Sequence, residues 1–191
     1  MSKVHPDGIE PRLRAWIEQQ PVFFVATAPL AADGHINVSP RGGRGSLAVL
    51  DQHTVAWLDL TGSGAETIAH LRENGRVVVM LCAFDGPPQI VRLHGSGRAV
   101  QPADPEWEQL AARFPARRGA RAIIVVDVTR VSDSCGFAVP RMDYVEDRDL
   151  LERWAERKDD QAIADYRAER NAESIDGLPT RLDARSSPAR P

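Results

Sequence analysis

The chain has 191 residues, 42% hydrophobic and 27% charged, which suits a compact fold with a sizeable core. Its formal net charge is -3, from 24 Lys+Arg against 27 Asp+Glu, so no global basic field exists to draw nucleic acid or an acidic membrane surface. Cys82 and Cys135 lack Cys-x-x-Cys spacing, no apolar run reaches membrane-spanning length, and no secretory leader opens the sequence, so a reducing cytoplasm is the expected location.

Ile9 to Gln20 reads as a short amphipathic helix with Leu13, Trp16 and Ile17 on one face, Asp7 as a cap and Pro11 in the first turn. Pro21 ends it, and VFFVATA follows as a strand. Asp33-Gly34 is a two-residue hairpin signal. The next strand, HINVS, puts Ile36 and Val38 on one face, and Pro40 stops it or marks a sheet edge. After the flexible loop RGGRG come SLAVLD and TVAWLDL as strands.

Ser63 and Glu66 have capping-box spacing, and Gly75 sits where a left-handed C-cap belongs, so a helix is expected over Gly64 to Asn74. VVVMLCAF reads as a central strand. QIVRLHGSGRAV reads as a strand bent or bulged at Gly95 and Gly97. Asp104-Pro105-Glu106 opens a short helix with Trp107, Leu110, Ala111 and Phe114 as its stripe. A basic loop then leads into the strand AIIVVDVTRV. From about Asp147 to Asn171 the pattern is charged and helical, anchored by Leu150, Leu151, Trp154, Ile163 and Tyr166. The expected class is mainly β with helices (α+β), a small curled barrel, and its glycines favour curvature over a flat sheet. The division expected is a barrel over 1–134, a helical extension over 135–181, and a disordered tail over 182–191.

Catalytic signatures are sparse. No pair among His5, His35, His53, His70 and His94 has metal-ligand spacing, and G-x-S-x-G is absent. Thr61-Gly62-Ser63-Gly64 precedes a helix, where exposed N–H groups and the positive dipole end suit a phosphate, although such residues also serve as plain caps. Glu66 argues for the cap, and Arg41 in its Gly-rich loop is either a compensating cation or a solvated side chain. The Arg113, Arg117, Arg118 and Arg121 cluster reads as a solvated face, with a subunit contact or an anion entrance as alternatives.

The order from FFVATA through HINVSPRGG, TVAWLDLTGSGAETIAHLRENGRVVVML and QIVRLHGSGRAV resembles the pyridoxamine 5′-phosphate oxidase-like flavoproteins. The resemblance covers roughly Ile9 to Val131 and implies an FMN-binding split β-barrel acting as an oxidoreductase on an undefined small-molecule substrate. It also implies a homodimer with cofactor between subunits. On this resemblance Asn37, Val38, Ser39 and Pro40 line the flavin ring, and Arg41 is a candidate phosphate ligand. Trp57, Leu58, Asp59, Thr61, Gly62 and Ser63 follow the ribityl chain to the phosphate, and Gln89 approaches the ring from another side. The Arg-Lys that follows the Gly-Ser of the helix start in true pyridoxamine phosphate oxidases is replaced here by Gly64 and Ala65, which argues against the vitamin oxidase activity itself. A deazaflavin-dependent reductase, or a non-catalytic flavin- or haem-binding carrier or sensor, is the alternative.

Overall fold

A computed structural model describes residues 3–182. Eight strands form one antiparallel sheet: β1 (Lys3–His5), β2 (Val22–Thr27), β3 (Asn37–Gly42), β4 (Leu47–Val49), β5 (Thr54–Leu60), β6 (Arg76–Cys82), β7 (Ile90–Val100) and β8 (Ala120–Ser134). The order is β3-β2-β6-β7-β8-β5-β4, with β1 paired to the far end of β8. Helix α1 (Pro11–Gln19) precedes β2, α2 (Glu66–Asn74) joins β5 to β6, and α3 (Trp107–Ala111) joins β7 to β8. Two further helices, α4 (Leu150–Glu156) and α5 (Asp160–Arg170), follow the sheet. The curled sheet with its helices is a split β-barrel.

The apolar runs explain the layers. In β6, Val77, Val79, Leu81 and Cys82 are buried and Val78 and Met80 half-buried, and the strand is central because it lies between β2 and β7. One face of the sheet, through Val25, Val55, Trp57, Val79, Leu93 and Ile124, packs with Leu13 and Ile17 of α1 and Ile68 and Leu71 of α2. The other face, through Ala56, Leu58, Ile123 and Val125, packs with Trp107, Leu110 and Phe114 around α3.

Glycine acts where the chain requires it. Gly75 ends α2 at φ 72°, and a Cβ there would stand 2.6 Å from Ser96 Oγ. At Gly95 the register of β7 against β8 slips by one residue, and a Cβ would fall 2.1 Å from the Asp127 carbonyl oxygen.

Several local expectations are corrected. Asp33-Gly34 does not form a two-residue hairpin: β2 ends at Thr27 and β3 begins at Asn37, with the loop closed by Gly34 N–H to the Ala31 carbonyl at 3.2 Å. Glu10, not Asp7, occupies the N-cap of α1. β3 does not stop at Pro40 but continues to Gly42, and the alternative, a sheet edge, holds: β3 is an edge strand, where no neighbour needs a donor from Pro40. The Ser63–Glu66 capping box does not form; the N-cap is Ala65, with no side-chain capping bond. The short strand β1 had no strong pattern of its own and exists through pairing with β8. The tail expected from residue 182 lies, from 183 onward, outside the described residues.

Candidate functional site

The register of β3 on β2 sets the first part of the site. Pairing Phe23 with Arg41, Val25 with Ser39 and Thr27 with Asn37 turns Asn37, Ser39 and Arg41 toward the barrel interior. Val38 and Pro40 then face outward, and with Ile36 they form an apolar outer surface; Ile36 is 74% and Val38 62% exposed.

Asn37 is the centre of a polar chain leading inward. Ser39 Oγ donates to Asn37 Oδ1 at 2.9 Å. Asn37 Nδ2 donates to Thr27 Oγ1 and to Thr67 Oγ1 of α2, both at 3.1 Å. Thr27 Oγ1 shares a 2.9 Å bond with His70 Nδ1, and His70 is fully buried. Among the described residues His70 Nε2 has no hydrogen-bond partner. Such a chain in a low-dielectric interior rigidifies the strand that carries it.

Farther along lies a buried charge cluster. Asp59 accepts from Arg121 Nε at 2.6 Å, and Arg41 Nη1 stands 3.0 Å from its other carboxylate oxygen. Arg121 reaches Asp59 through a bulge: Ala120 and Ala122 of β8 pair with Leu60 and Asp59, so Arg121 is the extra residue and its side chain is re-aimed. It also donates to Asn171 Oδ1 at 2.7 Å and to the Gly64 carbonyl at 2.9 Å.

The turn after β5 is held by the chain's own C-terminal segment. Thr61 Oγ1 donates to the Gly119 carbonyl and accepts from Arg167 Nε of α5 at 2.9 Å. The Gly62 carbonyl accepts from Asn171 Nδ2 at 2.9 Å. The Glu66 carboxylate accepts from Ile175 N–H at 3.1 Å instead of closing its own helix start. Asp176 receives the His35 backbone N–H at 2.8 Å and its Nδ1 at 2.6 Å. That contact raises the His35 pKa and lowers that of Asp176, the side-chain hydrogen bond between them being the main cause in both.

The structure therefore brings Asn37, Ser39, Arg41, Asp59, Thr61 and Gly62 along one side of the barrel, while their side chains differ in availability. Trp57 points into the main core against Phe23, with ring centroids 6.0 Å apart, and Leu58 points into the second core. For these two, backbone atoms alone are left to meet a ligand. Ser63 is exposed, and Gln89 is partly buried, its carbonyl accepting from Ala83 N–H at 2.8 Å. The arginine cluster is a solvated face only in part: Arg113 is exposed, while the other three are engaged. Arg121 is buried, Arg117 pairs with Glu152, and Arg118 holds the Ala155 and Lys158 carbonyls and Asp160, so the loop fastens the C-terminal helices. Thr27, Thr67, His70, Asn171 and Arg167 join the site without a motif of their own, since each is recruited across the fold.

Three comparisons bear on this arrangement. A family model described as pyridoxamine 5′-phosphate oxidase matches residues 9–135. The pyridoxamine 5′-phosphate oxidase family protein ustO of Aspergillus flavus is 41% identical over 189 residues, covering 91% of this chain and 76% of that protein. The crystal structure of the tagged HupZ protein of Group A Streptococcus superimposes with a TM-score of 0.50 at 20% identity, over 64% of this chain and 91% of that one. A variant of the same protein with one histidine replaced by alanine gives a TM-score of 0.52 at 20% identity, over 66% and 99%. The structural likeness speaks to the fold, and the family match spans every strand from β2 to β7 and β8 through its last residue. This chain belongs to the pyridoxamine 5′-phosphate oxidase family.

Proposed function

We propose that the protein is a flavin-dependent oxidoreductase that binds FMN along β3. The observation that carries this reading is the polar row Ser39–Asn37–Thr27–His70 behind an uncovered edge strand. The open edge of β3 offers backbone groups to the rim of a planar ring, and Ser39 and Asn37 add polar atoms beside them. The flavin would supply the electron chemistry, and the chain would supply binding, orientation and electrostatics.

The two ends of the site fit FMN unequally. The ring end suits an isoalloxazine, with rigid polar groups on one side and apolar Val38 and Pro40 on the other. At the phosphate end, Arg41 is engaged by Asp59, the Gly62 carbonyl by Asn171, and Glu66 adds a negative charge. A phosphate at Thr61–Ser63 would have to meet Ser63 and the free N–H groups of the helix start alone, or displace the 171–176 segment.

The proposal extends to a homodimer whose partner covers the exposed Ile36 and Val38 and completes the flavin groove. A reducing, cytoplasmic setting and a small-molecule substrate accompany it; among the described residues no helix is long and apolar enough to cross a membrane. The second reading is a flavin-binding protein without turnover.

A visible spectrum of the purified protein with added FMN tests both. Flavin bands that bleach with a nicotinamide donor support the oxidoreductase. Bands that resist every donor support the binder. A protein whose melting FMN does not shift, and which carries no flavin, overturns both.

A further inference from the structure

A groove of about 470 Å³ lies on the other flank of α2 from the Asn37–His70 chain. Thr67 and His70 face that chain, while Ala69 and Arg72, two residues on from each, face the groove, and Glu73 lies at its edge. Its opposite wall is Arg98 and Ala99 of β7, and Leu178, Pro179 and Arg181 close it. The floor is thus apolar, and three guanidinium groups stand on the rim.

Among the described residues, Arg98 alone of these three arginines has an ion-pair partner. Arg98 is held by Glu106, at 2.6 and 3.0 Å. Among the described residues no hydrogen bond or ion pair engages the guanidinium of Arg72 or of Arg181. Glu73 is turned away, its carboxylate accepting from Leu30 N–H at 2.8 Å. Burial lowers the Arg72 pKa, the facing charge of Arg181 lowers it further, and Asp104 offsets this in part. Arg181 is also the one non-glycine among the described residues with positive φ, at 53°. An arginine in that region carries a steric cost, and such cost is retained where a side chain must be aimed. Gln101 Nε2 holds its carbonyl at 3.3 Å.

We propose that this groove is a binding site for a phosphate-bearing small molecule, held by Arg72 and Arg181 with Arg98 beside them. Guanidinium forks match phosphate oxygens in pairs, and a dianion compensates the two unmatched charges. The floor of Ala69, Leu71, Ala99, Leu178 and Pro179 suits a small organic body. The site is independent of the flavin reading, because it uses no residue of the β3 face.

The test is thermal melting of the full chain in inorganic phosphate against chloride at equal ionic strength. Wild type is expected to gain roughly 2–4 °C at about ten times the dissociation constant. The Arg72→Gln/Arg181→Gln variant should lose that gain, and Arg130→Gln, on β8 away from the groove, should keep it. Should the double variant melt too low to compare, phosphorus NMR line broadening at about 25 °C reads binding directly, with the same expected loss. A gain that persists in the double variant, or no gain in wild type beyond chloride, overturns the proposal.

Discussion

Arg121 donates through Nε to Asp59 across 2.6 Å, with both side chains at 1% exposure or less. Arg41 Nη1 stands 3.0 Å from the other oxygen of the same carboxylate, so two guanidinium groups flank Asp59. The same Arg121 carries Asn171, so one buried guanidinium ties β8, β5 and the C-terminal segment together.

Arg121→Met should therefore cost about 3 kcal/mol, the low end for stranding a buried charge, since Arg41 remains. Urea unfolding reads the loss. The paired change Asp59→Leu/Arg121→Met should recover much of it. A single variant as stable as wild type would show that the pair contributes little.

The His35–Asp176 contact predicts a pH-dependent C-terminal segment. The His35 pKa is raised above 6.5, so its contribution is complete below that value and fades as pH rises through the raised one. The Asp176 pKa is lowered below 3.8, so its contribution is complete above 3.8 and fades as pH falls through the lowered one. Protection of the Ile175 and Asp176 amides, after correction for intrinsic exchange, should be greater at about pH 5.5 than at about pH 9. Equal protection at both would remove the pair as a latch.

Gly95→Ala should be destabilising by about 2 kcal/mol or more, because the new methyl meets the Asp127 carbonyl and not a movable side chain. The melting temperature checks it. An unperturbed variant would mean that the β7–β8 bulge shifts freely.

Under the proposed dimer, wild type should sediment at twice the 21.0 kDa chain mass. Val38→Glu, placed on the outward face of β3, should sediment as a monomer with little loss of intrinsic fold stability. A wild-type monomer loaded with flavin contradicts the shared-groove reading.

Much of the fold was legible because it rests on short-range pattern. Apolar runs marked β2, β5, β6 and β8, and the spacing of Gly75 marked the end of α2. Gly95 marked the bulge for a reason that also holds locally, since a strand glycine has no side chain to place. The family resemblance, carried by residue order, singled out β3 and the turn after β5.

Partner choice was not legible, because a polar side chain has several chemically equivalent partners until the chain folds. Glu66 had the spacing to close its own helix start, yet the Ile175 N–H, 109 residues away, takes its carboxylate. Arg121 sat in a basic loop like its neighbours, and a one-residue bulge against Leu60 carried it to Asp59. Composition and periodicity determined which residues form strands and helices. Tertiary structure alone decided which charges are buried and paired, because desolvation is set by what packs around a group and not by its position in the chain.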